Sequence, residues 1–215
     1  MDYVIYIIPQ MIAGIGVSLN IFVLTLLFAI PLGFLMALGR LSKIQPIRKA
    51  VEFYVWLMRG TPLMLQLFFF YFALPAVGIL LSDFNAAIVA FVFNYSAYFC
   101  EIFRSGIGAI PKGQYEAAHT LGMSYTQTMR RIILPQVVRI VLPPVSNETI
   151  TLVKDTSLVY VLAMNDLMRT TRNLVQRDFN MTPFLVAAAF YLFATFILTE
   201  IFNRIEKKYS KHVQQ

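Results

Sequence analysis

Asn94, Tyr98 and Glu101 stand four and three residues apart, the spacing that brings side chains onto one face of an α-helix. An amide, a phenol and a carboxylate on one face make a polar surface able to hold a charged small molecule. Glu148 and Asp155 are seven residues apart and nearly share a face as well. Lys154 adjoins Asp155, but adjacent residues on a helix do not face each other. Asp155-Thr156-Ser157 also reads as a cap sequence that can interrupt the helix. Thr61-Pro62 is a helix start signal. A half-helix beginning there would aim free N–H groups and a positive dipole end at an anion. Each feature has a plainer alternative: Glu101 paired with Arg104 at i+3, Asp155 as a structural cap, and Thr61-Pro62 as a kink.

The elements that must position these residues are apolar. Hydrophobic residues make up 58% of the 215 and charged residues 13%, against roughly 45–50% and about 25% in soluble domains. No charged side chain occurs between Asp2 and Arg40, between Arg59 and Asp83, or between Asp178 and Glu200. A helix needs about 20 mostly apolar residues to cross a bilayer, so the chain reads as an all-α integral membrane protein. Five spans are expected, at about 10–39, 51–74, 84–103, 137–163 and 183–203, in one transmembrane domain over 1–215. Thr182 and Pro183 suit the start of the fifth. The fourth holds Pro143, Pro144, Glu148, Lys154 and Asp155, and must be buried among other helices. The first apolar run lacks a basic leader and is expected to stay as a membrane helix.

Lys and Arg concentrate in 40–49, in 104–139 and in the tail with Arg204, Lys207, Lys208 and Lys211. By the positive-inside tendency these lie in the cytoplasm, with the N-terminus outside and the C-terminus inside. Arg169, Arg172 and Arg177 fall in 164–182, which this topology places outside, where they could meet an outside partner. The net charge of +7 does not indicate nucleic-acid binding, because the basic residues are scattered between apolar runs. Cys100 is alone and permits no intrachain disulfide. His119 and His212 both lie outside the spans, and no metal-ligand cluster or base for Ser157 is apparent, which argues against an intramembrane enzyme.

The loop at about 110–136 carries the most specific pattern. It reads Glu116-Ala117-Ala118, then Gly122, then Ile132-Ile133-Leu134-Pro135. Residues 114–121 are good helix formers and Gly122 can stop a helix. Ser124 can cap a second short helix through Arg131, before Pro135 breaks the run. This spacing resembles the loop signature of binding-protein-dependent ABC importer permeases: Glu-Ala-Ala, three residues, Gly, nine residues, Ile-x-Leu-Pro. Arg59-Gly60-Thr61-Pro62, Ala97-Tyr98, Glu101-Ile102-Phe103-Arg104, Ile110-Pro111-Lys112-Gly113-Gln114 and Lys154-Asp155-Thr156-Ser157-Leu158 resemble the polar amino acid branch, over about 10–205. Cys100 stands where a small residue is usual, and Ala163 where Gly is common.

The resemblance implies a permease of a bacterial inner membrane, paired with a second permease as homodimer or heterodimer. It implies two cytoplasmic ATPase subunits, which would bind ATP and Mg, and an extracytoplasmic solute-binding protein. A coupling helix at 116–122 would sit in an ATPase cleft through Glu116, Ala117, Ala118, Leu121 and Gly122. No Gly-x-x-x-x-Gly-Lys-Ser/Thr occurs in this chain, so ATP hydrolysis is expected on another polypeptide. The chain itself is then a translocation subunit rather than an enzyme, with membrane lipid around it. Its substrate site is expected to combine Thr61, Asn94, Tyr98, Glu101, Asp155 and Ser157. Thr61 would hold a carboxylate, and Glu101 and Asp155 an ammonium or cationic side chain. Two intramembrane acids favour arginine, lysine or histidine. An ion-coupled secondary transporter or channel using the same acids is the competing reading, and it leaves the Glu-Ala-Ala loop unexplained.

Overall fold

Small residues set the main packing contact. On α1 (Asp2–Arg40) the buried residues Ile21, Thr25, Ala29, Gly33 and Ala37 recur every four positions and form one stripe. They face α4 (Asp83–Gly108), whose Ala86, Ala87, Ala90, Phe91, Tyr95, Ala97, Phe99 and Cys100 are buried. Small side chains let two membrane helices approach closely. Cys100 is fully buried against Ala37, Val55 and Ala97, which explains why only a compact side chain fits there. Ser82 caps α4 by accepting from the Asn85 amide.

The computed structural model describes residues 2–210; Lys211 and His212 lie outside the described residues. All regular structure among them is helical. α1 runs 39 residues, about 58 Å at 1.5 Å per residue, so the expected span 10–39 gains a further turn or two at its N-terminal end. That extension packs Ile7, next to Met11 of the expected span, against α8 (Leu167–Asp178) and α9 (Thr182–Ser210). α1, α4 and α9 are each long and apolar enough to cross a membrane.

The expected span 51–74 is broken. α2 (Gln45–Gly60) ends at Thr61, and α3 (Leu63–Phe68) starts at a bend of 106°. A π turn, Phe69–Ala73, and a 3-10 turn, Leu74–Val77, continue α3. Only together are α2 and α3 with its continuation long and apolar enough to cross a membrane, as one broken span or a re-entrant loop.

The loop 104–139 differs from expectation in one respect. α5 (Lys112–Thr120) ends at Gly122, with φ +71, in a Schellman motif: Met123 N–H donates to the Ala118 carbonyl and Gly122 N–H to that of His119. Ser124 and Gln127 then form a reciprocal capping box on α6 (Tyr125–Thr128). Pro135 does not end this second helix. A π turn, Met129–Ile133, carries it directly into α7 (Leu134–Asp155). The wider turn leaves room for the proline ring, whose missing N–H would otherwise open the i−4 ladder. α7, with its prolines and charges, is not itself apolar enough to count as a span, and it packs on α4 and α9.

A 3-10 segment, Thr156–Leu162, extends α7 and stops at Ala163, whose φ of 62° is left-handed. This is the physical reason for a glycine at that position. Ala163→Gly removes a left-handed penalty of about 1–2 kcal/mol, partly offset by the greater freedom of unfolded glycine. The variant should melt at a higher temperature in detergent, and a lower midpoint would contradict this account. Asp166 then caps α8 by accepting from Met168 and Arg169 amides. At α9 the Thr182 hydroxyl, expected to cap, instead donates to Asn180.

Two of the three arginines on α8 are engaged within the chain. Arg172 lies 4.9 Å from the centre of the Tyr160 ring. Arg177 binds Asp178, which also accepts from Tyr3, and these two donors hold the Asp178 carboxyl down at about 2.

Candidate functional site

The break between α2 and α3 opens a cavity of about 540 Å³ against α4 and the end of α7. Its wall includes Arg59, Thr61 and Pro62 from the break, Asn94, Tyr95 and Tyr98 from α4, and Glu148, Thr151 and Asp155 from α7. The sequence spacing accounts for the α4 and α7 contributions. Asn94 and Tyr98 share a face, and so do Glu148, Thr151 and Asp155.

A hydrogen-bond lattice fixes the broken corner to α4. Asn94 Nδ2 donates to the Met58 carbonyl at 3.0 Å and to Gln66 Oε1 at 3.1 Å. Gln66 Nε2 donates to the Met58 carbonyl and to Thr61 Oγ1, at 2.9 and 2.8 Å. The Thr61 hydroxyl donates back to the Leu57 carbonyl at 2.8 Å. Thr61 thus ends α2 and does not cap α3, which has no side-chain cap. Its side chain is committed to the corner.

The charged groups of the cavity are Arg59, Glu148 and Asp155. The Arg59 guanidinium lies 5.2 Å from the centre of the Tyr98 ring, a cation–π contact that holds it with no ion-pair partner among the described residues. Asp155 accepts from the Tyr95 hydroxyl at 2.7 Å. Glu148 is half-buried and has no hydrogen-bond or ion-pair partner among the described residues. One cation and two carboxylates leave the cavity a formal charge of −1.

Two residues expected in the site are elsewhere. Glu101 does not line the cavity. It pairs with Arg40 at 2.6 Å and with Arg104, and Arg40 continues to Glu52 at 3.4 Å. The i+3 partner was one alternative in the sequence, and Arg40 of α1 supplies a second cation. Ser157 falls in the 3-10 segment two residues past Asp155, on a different face, near the Tyr191 hydroxyl of α9. Conversely, the spacing of the sequence assigned no place on the cavity wall to Arg59, which stood as the edge of an apolar interval and in the Arg59-Gly60-Thr61-Pro62 pattern, or to Tyr95. Glu148 was visible through its seven-residue spacing to Asp155.

In the loop, Glu116 and Ala117 are exposed, Leu121 is 78% exposed, and Ala118 is buried. Ala118 therefore anchors α5 instead of presenting a contact surface. Ile110, Ile133, Val137 and Val141 form a further apolar cluster with Tyr115 packed on it, which ties α5 to α7.

Residues 29–211 match the family described as binding-protein-dependent transport system inner membrane component. The chain belongs to this family. The resemblance expected from the Glu-Ala-Ala loop is thereby established, and the chain is a membrane permease subunit and not an enzyme. Among relatives of this family, the L-cystine transport system permease protein TcyB of Bacillus subtilis is 36% identical, over 95% of this chain and 88% of its own. The arginine transport system permease protein ArtQ of Bacillus subtilis is 37% identical, over 94% and 93%. A solved amino acid ABC transporter with histidines superposes with a TM-score of 0.89 at 33% identity, over 96% of this chain and 97% of that one. The regular structure of this chain's described residues is all helical, as expected for a membrane permease.

Proposed function

We propose that the chain is the translocation subunit of an ATP-driven importer for amino acids, with preference for a basic one. The observation that carries this is the charge of the cavity between the α2–α3 break, α4 and α7. Arg59 offers a carboxylate its partner, and Glu148 and Asp155 offer two sites for cationic groups. A basic amino acid bears one carboxylate and two cationic groups, so its net +1 neutralises the cavity's −1. Charges drawn partly out of water are costly unless paired, and this ligand pairs the half-buried Glu148 and Asp155 together with the more exposed Arg59. Arg59, a full positive charge on the cavity wall, takes the carboxylate role first expected of the Thr61 half-helix, whose α3 runs only six residues. Names of relatives that include arginine and cystine support an amino acid as substrate.

Membership in a binding-protein-dependent family favours ATP coupling over an ion gradient. ATP and Mg would be held by separate ATPase subunits, and a second permease and a solute-binding protein would complete the assembly. The α5 knuckle, with Glu116, Ala117 and Leu121 exposed and Gly122 at its stop, is the surface offered to the ATPase. In proteoliposomes of the assembled complex, uptake of arginine, lysine and histidine should require ATP, and glutamine should enter more slowly. Gly122→Val places a β-branched residue at φ +71, so the cost falls on the left-handed backbone that stops α5 and not on a steric clash. Hydrolysis should continue while uptake falls. Uptake independent of ATP would remove the importer reading, and full uptake by an assembled Gly122→Val complex would remove the coupling role alone.

Five spans remain the proposed topology, with α7 and its 3-10 extension as the fourth, the N-terminus outside and the C-terminus in the cytoplasm. Reporter fusions at Gly78 and Tyr209 test it. An outside signal at Gly78 and a cytoplasmic one at Tyr209 are expected, and a cytoplasmic signal at Gly78 would refute the scheme.

A further inference from the structure

The seam between α1 and α9 holds two adjoining cavities that share no lining residue with the substrate cavity. One, of about 580 Å³, opens between Val4 and Ile8 of α1 and Thr182 and Leu185 of α9. The other, of about 390 Å³, lies further along both helices, between Ser18 and Phe22 of α1 and Tyr191, Ala194 and Ile197 of α9. Phe190 and Phe193 wall both, so the two form one groove. Among the described residues no charged side chain lines it. Two polar atoms interrupt the apolar wall. Ser18 Oγ and Tyr191 Oη are buried and have no hydrogen-bond partner among the described residues. Thr149, Thr171 and Thr199, also within helices, each donate to the carbonyl four residues back, and Ser18 does not. Ser157 stands near Tyr191 without completing a hydrogen bond to its hydroxyl. From the groove and its two unpaired hydroxyls we infer a binding site for an uncharged, membrane-dissolved hydrocarbon that carries one hydroxyl or carbonyl oxygen, held at Ser18 and Tyr191.

The depth of the hydroxyls selects the occupant. Ser18 stands near the middle of the uncharged run 3–39, and Tyr191 near the middle of the uncharged stretch 182–199 of α9. Both therefore lie deep in the apolar belt, where bulk water does not reach to pair them. A buried hydroxyl left unpaired costs its full desolvation. A plain acyl chain fills the apolar wall but leaves both hydroxyls unpaired. A neutral oxygen pairs them: a carbonyl accepts from both, and a hydroxyl accepts from one and donates to the other. A carboxylate or phosphate is excluded on charge. No cation lines the groove, and the Asp166 carboxylate acts on Tyr191 from the start of α8 and repels an anion. The hydrocarbon part then lies along the groove over Phe190 and Phe193.

Photolabelling of the assembled complex in phosphatidylcholine nanodiscs tests the site, with a diazirine-bearing dodecanol as probe and peptide mapping as readout. Label should appear on α1 around Ser18 and on α9 around Tyr191. Unlabelled dodecan-1-ol should displace it at a lower dose than dodecane or ionised dodecanoate does. Ser18→Ala and Tyr191→Phe should each weaken the apparent affinity of dodecan-1-ol about fivefold, the scale of one hydrogen bond. Each deletes an unpaired hydroxyl, so neither should lower the melting temperature. Ala194→Trp keeps both hydroxyls but fills the apolar wall, and it should abolish the label. Phe196→Leu, at an exposed position of α9 outside the groove, should change nothing. Displacement by dodecane as readily as by dodecan-1-ol would make the groove a seat for any acyl chain and overturn the inference. Equal affinity in the wild type and in both hydroxyl variants also overturns it. So does the absence of label from the groove, which would give the seam to lipid, water or a second permease subunit.

Discussion

Asp155→Asn should weaken arginine binding by about 2–5 kcal/mol, the usual cost of truncating one side of a desolvated charge pair. The substitution is chosen to change charge and little else. Asn at 155 still offers an oxygen to the Tyr95 hydroxyl, which now bonds Asp155 at 2.7 Å. Glu148→Gln should have a comparable effect, because Glu148 has no partner among the described residues whose loss could disturb the fold. Glutamine carries no side-chain charge, so at least one of the two variants should bind it nearly as well as the wild type does. Glu101→Gln should behave differently. Its two arginine partners belong to α1 and α4, and the Arg40 bridge reaches α2. Removing that carboxylate leaves two cations facing each other, which should lower the melting temperature and shift affinity for all substrates alike. Calorimetric titration of arginine and glutamine into each purified variant separates these outcomes. Unchanged arginine affinity in both Asp155→Asn and Glu148→Gln would remove the acidic pair from the site.

What could be read in the sequence depended on whether the relevant interaction was local. The stop at Gly122, the capping box at Ser124 and the break at Thr61-Pro62 are set by residues within a few positions of each other, and all three lie where the signals stand. The pairing of Glu148 with Asp155 on one face follows from helical repeat alone. Pro135 misled because a proline breaks an α-turn but tolerates a π turn, and nothing local announces that the chain will widen there. Glu101 misled for a different reason. It was expected to meet a substrate, with the Arg104 pair as the alternative, but Arg40 lies 61 residues away and approaches only because α1 packs along α4. Arg59 was passed over because its value as a boundary of an apolar interval hid its place on the cavity wall. Its position depends on the 106° bend, whose angle no spacing encodes.

That α1–α4 contact itself yields the second large effect. Gly33→Ala should destabilise the permease by about 1–3 kcal/mol, although alanine is the better helix former by about 1 kcal/mol. A Cβ at Gly33 would stand 2.6 Å from Phe99 Cβ, 2.9 Å from the Ser96 carbonyl oxygen and 3.0 Å from the Cys100 nitrogen. None of these is the far end of a flexible side chain, so relief requires the two helices to move apart. Separation would also loosen Ala29 and Ala37, one turn away on either side, which are fully buried. Gly14→Ala should be similarly costly. Its Cβ would meet the Asp166 carbonyl and the Leu167 nitrogen at 2.7 Å, and that backbone is held by the α8 cap. Gly16 supplies the control on the same helix. No atom lies within 4 Å of a Cβ built there, so Gly16→Ala should leave stability unchanged or raise it. Thermal melts of the three variants in one detergent make the comparison. If Gly33→Ala melts as high as Gly16→Ala, close approach at that glycine is not what holds α1 to α4. In that case the stripe of Ala29, Gly33 and Ala37 contributes no more than its apolar area.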